Sequence, residues 1–182
     1  MAGNGDYPRR LILAQRPTPL QPLDRISEEL DGPRIWVKRD DLTGCALSGN
    51  KVRKLEFSVA EALEQGCDTL ITCGGIQSNH CRATALLGAR LGMRVHLVLR
   101  GEPEGMPDGN LFLDKLFDAE ISFYPREEYS KNREEIFDEL VHQCSRKGGK
   151  AFTIPTGASD EIGVWGYLAT CEELKDDGDH HA

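Results

Sequence analysis

Apolar positions along this chain recur with two alternating periods, and their order predicts the layout of the fold. The run Arg34-Ile35-Trp36-Val37-Lys38 alternates as a strand does. Beyond it, residues 51–63 read as helix, 69–73 as strand, 79–91 as helix, 95–99 as strand, 110–117 as helix, 121–124 as strand, 129–145 as helix, 151–154 as strand and 161–174 as helix. Strands separated by helices predict an α/β protein, a parallel sheet with helices on both faces. Ahead of this unit, Pro8, Pro17, Pro19 and Pro22 predict an extended segment lying across a larger body. A short helix at 26–30 is expected there, ended by Asp31-Gly32-Pro33. At the other end, Gly178 is expected to break the last helix within a polar tail. The sequence contains no internal repeat and no low-complexity tract.

A length of 182 residues suits one domain, or one and a fraction. With 39% hydrophobic and 29% charged residues, the chain has the composition of a protein that buries a core. Thirty acidic against 22 basic side chains give a net charge of −8, which argues against nucleic acid as a partner. Apolar stretches fall far short of the about 20 residues a membrane span requires, and no N-terminal targeting signal is visible. A soluble cytoplasmic protein is expected. Cys45, Cys67, Cys73, Cys81, Cys144 and Cys171 form no CxxC pair and have no histidine at ligand spacing, so no metal site is expected. Small buried hydrophobes are the plainer reading of these thiols.

Chemistry concentrates in three stretches. In the first, Ser48-Gly49-Asn50-Lys51-Val52-Arg53-Lys54 runs from a loop into a helix that opens on three basic residues. Positive charge at a helix N-terminus is disfavoured unless something anionic or a covalent use compensates. A lysine held against positive partial charge gives up its proton more readily, and the neutral amine is the form that attacks an aldehyde. Lys51 is thus a candidate cofactor anchor and Lys54 a candidate phosphate contact, although a solvated basic helix start accounts for the pattern equally well. A nucleotide P-loop does not fit, because Asn50 intrudes before Lys51 and Val52 replaces the magnesium-binding Ser or Thr. In the second stretch, Gly74-Gly75-Ile76-Gln77-Ser78-Asn79-His80 joins a strand to a helix. Ser78 or Asn79 suits a plain N-cap. The polar cluster also suits a binding loop for an anion such as a substrate carboxylate. The spacing is not that of a dinucleotide fingerprint. The third, Ile154-Pro155-Thr156-Gly157-Ala158-Ser159, joins a strand to a helix and reads first as an ordinary turn capped by Ser159 or Asp160, with another loop near the site as the alternative. His96, His142, His180 and His181 have no partner at useful spacing.

Taken together, Pro17-Thr18-Pro19-Leu20, Trp36-Val37-Lys38-Arg39-Asp40-Asp41-Leu42-Thr43, the stretch from Ser48 to Phe57 and the stretch from Gly74 to His80 resemble the D-cysteine desulfhydrase and 1-aminocyclopropane-1-carboxylate deaminase family. The likeness covers about residues 13–174. It implies the N-terminal part of a tryptophan-synthase-β-like fold that uses pyridoxal 5'-phosphate, in which Lys51 anchors the cofactor. Asn79 would lie against the cofactor ring hydroxyl, Lys54 near its phosphate, and Asn50 among the cofactor contacts. Ser78 matches the catalytic serine, and Ser78, Asn79 and His80 would bind the substrate carboxylate through their backbone.

The resemblance also implies a small amino-acid substrate. The expected reaction is β-elimination from D-cysteine to pyruvate, ammonia and hydrogen sulfide, with opening of the cyclopropane ring as the alternative. His80 favours the desulfhydrase, because Ser-Asn-His is usual in that branch and Ser-Asn-Gln in the deaminases. Family members are longer and commonly dimeric. Residues 1–52 would then be the start of a larger cofactor domain, 53–155 a smaller α/β domain, and 156–182 the return into the larger one. The chain is expected to lack the glycine-rich phosphate cup and to be a truncated form, with a catalytically inactive remnant or partner-binding fragment as the reading of another class. The face of the helix around Val164, Trp165, Tyr167 and Leu168 is expected to be uncovered.

Overall fold

A computed structural model describes residues 7–103 and 105–181. A short antiparallel hairpin comes first, β1 (Leu20–Pro22) with β2 (Trp36–Lys38), bracketing the helix α1 (Asp24–Glu29). There follow α2 (Asn50–Glu64), β3 (Thr69–Gly75), α3 (Asn79–Leu91), β4 (Arg94–Arg100), α4 (Gly109–Leu116), β5 (Glu120–Tyr124), α5 (Arg126–Arg146), β6 (Ala151–Ile154) and α6 (Trp165–His181). The predicted alternation is present in full. Element ends shift by a few residues, and the largest difference is at the last helix, where the α6 backbone starts at Trp165 and runs through Gly178 to His181 instead of breaking there. A single glycine within a helix costs only about 1 kcal/mol relative to alanine, too little to end it.

The main sheet is parallel, with strand order β5-β4-β3-β6. Alternation along the strands divides two cores. Leu70, Val95, Leu97 and Leu99 meet α2 and α3 through Val52, Leu55, Val59, Ala83 and Leu87 on one face. On the other face, Cys73 and Val98 meet Tyr129 and Ile136 of α5. The helices therefore cover both faces, as such sheets require.

The proline-rich leading segment crosses the body because a carboxylate holds it. Buried Glu56 accepts the backbone N–H groups of Leu13 at 2.9 Å and Ala14 at 2.8 Å, and lies 3.4 Å from Arg16. Beside it a second ionic cluster fastens α6 to α2. Arg53, 1% exposed, donates to both oxygens of Asp40, both of Glu173, and the Thr18 hydroxyl. Lys38 adds ion pairs to Glu173 at 3.3 Å and Asp177 at 2.6 Å. Burial alone would disfavour the charge on Arg53, yet its bonds to Glu173 and Asp40 outweigh that and raise its pKa. Trp165 does not join the uncovered face of α6, since its ring packs edge-on against Tyr7 at 5.5 Å. Val164, Tyr167, Leu168 and Leu174 are exposed.

Candidate active site

Strand order decides where a ligand can sit. From β3 the chain crosses to β4 on one side and later returns to β6 on the other, which opens a crevice at the carboxyl ends of β3 and β6. Two loops border it. Residues 75–79 leave β3, and a single 3-10 turn, Thr156–Ala158, leaves β6. Cys73 and Thr156 bridge the crevice at its base, Sγ to Oγ1, at 3.1 Å.

The start of α2 enters from the side and brings its basic residues to three different fates. Arg53 turns into the ionic cluster. Lys54, 8% exposed, donates to the Gly157 carbonyl at 2.9 Å and the Ser159 hydroxyl at 3.0 Å. Burial, and then the charge of Lys51, lower its pKa. Lys51 alone has no hydrogen-bond or ion-pair partner among the described residues, and its amine lies against Gly157: a Cβ at that position would be 3.3 Å from Nζ. Gly157 also has φ +67, the left-handed region that favours glycine. The loop before Lys51 is held by Arg82 of α3, which donates to the carbonyls of Ala46 and Ser48. Asn50 donates to the Tyr167 hydroxyl at 2.7 Å, bringing α6 to the edge of the site.

Across the crevice Ser78 caps α3, its Oγ accepting the Cys81 N–H at 3.2 Å. That fulfils the plain capping role, and the same hydroxyl also interacts with the Cys81 thiol. The N–H groups of Asn79 and His80 have no partner among the described residues. Two free amides at the positive end of a 13-residue helix make a carboxylate-binding corner. The His80 ring, 2% exposed, is buried beneath it. Its Nε2 lies 2.8 Å from Thr72 Oγ1, and that hydroxyl spends its one hydrogen on the Ile154 carbonyl, also at 2.8 Å. Nε2 must therefore carry the proton, leaving Nδ1 bare. Burial, reinforced by Lys51 and Lys54, pushes the His80 pKa down to about 3, so the ring is neutral. A neutral ring whose one donor is committed cannot grip a carboxylate. Only the backbone of His80 can.

The structure thus brings Lys51, Lys54, Ser78, Asn79 and His80 around one crevice and puts Asn50 on its rim. Sequence reasoning assigned no individual role to Thr72, Arg82, Gly157 or Asn110. Thr72 stands two residues before the Gly74 stretch, and its role depends on β6. Asn110, 31 residues beyond Asn79, donates to Asn79 Oδ1 at 2.9 Å, and no spacing signals that contact.

A parallel α/β sheet with an unpartnered lysine amine at its topological switch point suits an enzyme that holds an aldehyde cofactor covalently. The chain belongs to the pyridoxal-phosphate dependent enzyme family, whose model matches residues 11–181. It is 43% identical over 90% of its length to the bifunctional D-cysteine desulfhydrase/1-aminocyclopropane-1-carboxylate deaminase of Arabidopsis thaliana mitochondria, of which it covers 42%. With the D-cysteine desulfhydrase of Klebsiella pneumoniae it shares 41% identity, over 91% of this chain and 51% of that one. A crystal structure of an ACC deaminase homologue superimposes with a TM-score of 0.80 at 39% identity, covering 93% of this chain and 51% of that one. The chain spans about half the length of the curated relatives it matches.

Proposed function

We propose that this chain carries the covalent half of a pyridoxal-phosphate site, and that the whole protein eliminates a β-substituent from a small amino acid of the D-cysteine kind, consuming one water and giving pyruvate, ammonia and hydrogen sulfide. One observation carries the reading: the unpartnered amine of Lys51 rests on Gly157, opposite the free amides of Asn79 and His80. The residues fit the cofactor. Gly157 leaves space beside the amine, Lys54 supplies buried positive charge with two hydrogen bonds to the Gly157 carbonyl and the Ser159 hydroxyl, and no carboxylate among the described residues bonds to either lysine.

When bound, pyridoxal phosphate supplies an electron sink for the carbanion formed at the substrate Cα. Lys51 would anchor it and, as the neutral amine, would take the Cα proton at Nζ. Lys54 would neutralise the phosphate, and Asn50 and Asn79 would orient the ring. The amides of Asn79 and His80 hold the substrate carboxylate, which leaves the Ser78 hydroxyl beside the reacting carbons. Ring opening of 1-aminocyclopropane-1-carboxylate is a second reading, favoured by the names of the plant relative and of the structural neighbour. In either case residues 1–52 belong to a cofactor domain, 53–155 to a smaller domain, and 156–182 to the return. The first boundary falls within α2, which then acts as a rigid connector.

A cytoplasmic location fits six free thiols, and no helix among the described residues is long and apolar enough to cross a membrane. We expect a homodimer, checked by sedimentation.

The test is to mix the protein with pyridoxal phosphate, reduce with borohydride and map the modified peptides. Selective modification of Lys51, abolished in Lys51→Ala, is expected. Modification spread over surface lysines overturns the proposal and favours a catalytically inactive fragment. Release of hydrogen sulfide from D-cysteine against 2-oxobutyrate from the cyclopropane substrate then separates the two reactions.

A further inference from the structure

Asn79 and the loop that carries it are tied to the start of α4 by amide contacts whose orientation the backbone fixes. The backbone N–H of Asn110 can only donate, so its partner at 2.8 Å is Gln77 Oε1. The Gln77 amide nitrogen is then the donor to Asp108, reaching its carboxylate at 2.9 Å. A backbone carbonyl can only accept, so the atom of Asn110 that meets the Gln77 carbonyl at 2.9 Å is Nδ2. That same nitrogen meets Asn79 at 2.9 Å, so the Asn79 atom it contacts must be the oxygen. The two elements touch so closely that a Cβ on Gly109, itself at φ +49, would lie 2.6 Å from Gln77 Oε1.

We propose that Asn110 is a positioning residue that fixes the Asn79 carboxamide with its oxygen engaged and its NH₂ group left for the ligand, so that Asn79 offers the site hydrogen-bond donors only. The ligand atom it accepts is an oxygen with a free lone pair, and a donor placed there is rejected. Specificity at this point comes from α4, which carries none of the residues that the proposed reaction uses. The inference rests on the reading that Asn79 lines the cofactor site.

Asn110→Asp and Asn110→Ala test it. An aspartate at the second position of α4 suits the helix dipole, so the fold is retained. Its carboxylate cannot donate to Asn79 and instead accepts from it, which turns the Asn79 carbonyl toward the ligand. In the wild-type protein without cofactor, the side-chain NH₂ of Asn79 should exchange rapidly with solvent by NMR. In Asn110→Asp it should shift and exchange slowly, and in Asn110→Ala it should stay fast. Pyridoxal phosphate binding should weaken about ten- to hundredfold in Asn110→Asp, the ratio that matches a lost bond to a charged oxygen, and less in Asn110→Ala. Slow exchange of the Asn79 NH₂ in wild type, or the same spectrum in Asn110→Asp, overturns the inference. Because the NMR readout needs no cofactor, it stands apart from a failure of Lys51 to react.

Discussion

Replacing Arg53 by methionine keeps an unbranched side chain of similar length while removing the charge that holds Asp40 and Glu173 together. Among the described residues, the Asp40 carboxylate would keep the Thr18 hydroxyl at 3.0 Å and no cation. Glu173 would keep Lys38 at 3.3 Å and Arg16 at 3.6 Å. Breaking a buried pair on one side costs about 3 to 5 kcal/mol, because the remaining charge stays desolvated and unpaired. With Glu173 still partly compensated, the lower part of that range applies, about 3 to 4 kcal/mol. At a slope of about 2 kcal/mol per molar urea, the unfolding midpoint should fall by about 1.5 to 2 M. Circular dichroism during urea titration reads this directly. The exposed Arg34–Asp24 pair, 67% and 63% exposed, provides the control: Arg34→Met should change stability by less than about 1 kcal/mol. A loss below about 1 kcal/mol for Arg53→Met would refute the reasoning, since it would mean that water reaches Asp40 and Glu173 as readily as at the surface.

Further outcomes follow from three buried titratable groups and from the backbone of one glycine. Burial and the neighbouring lysines hold His80 at about 3, so below the ordinary 6.5 the unfolded chain binds a proton that the folded chain does not, and stability falls with falling pH. Asp114 of α4 acts oppositely. It is fully buried, neither carboxyl oxygen has a hydrogen-bond partner among the described residues, and burial raises it to about 7 against the opposing effect of Arg82. Between about pH 4 and 7 its folded form binds the extra proton, so stability rises as pH falls. The two slopes oppose each other between pH 5 and 6.5, and denaturation at both values should expose them: Asp114→Asn loses stability on acidification, His80→Gln gains it, and identical slopes in both variants would contradict the assignments. Burial opposes the lowering of Glu173, but its bonds to Arg53 and Lys38 win and hold it below the ordinary 4.5. Its contribution should persist above pH 4.5 and be lost as pH falls through the lower folded value, and Glu173→Gln should flatten the acid limb of a thermal melt. Gly157→Ala should cost about 1 to 2 kcal/mol for the left-handed backbone and displace the Lys51 amine, reducing borohydride-trapped modification of Lys51 in peptide maps.

Local pattern determined a good deal of this protein. Period and punctuation gave the α/β alternation, because apolar spacing reports which face of an element is buried wherever the element lies. Helix-start chemistry likewise pointed to Lys51, Lys54, Ser78 and Asn79, since a helix N-terminus has the same electrostatics in any fold. The basic opening of α2 was legible as an anomaly, but not its resolution: Glu173, which neutralises Arg53, lies 120 residues away. Nothing in the sequence placed β6 beside β3, and that pairing alone opens the crevice and aligns Thr72 with Ile154. The His80 ring follows from it, buried as a neutral tautomer because the Thr72 hydroxyl has a single hydrogen and the β6 carbonyl takes it. Asn110 reaches Asn79 only because α4 packs against α3. Spacing along a chain encodes neighbours three or four residues apart, whereas hydrogen-bond direction at this site is fixed by groups that meet only after the sheet has assembled.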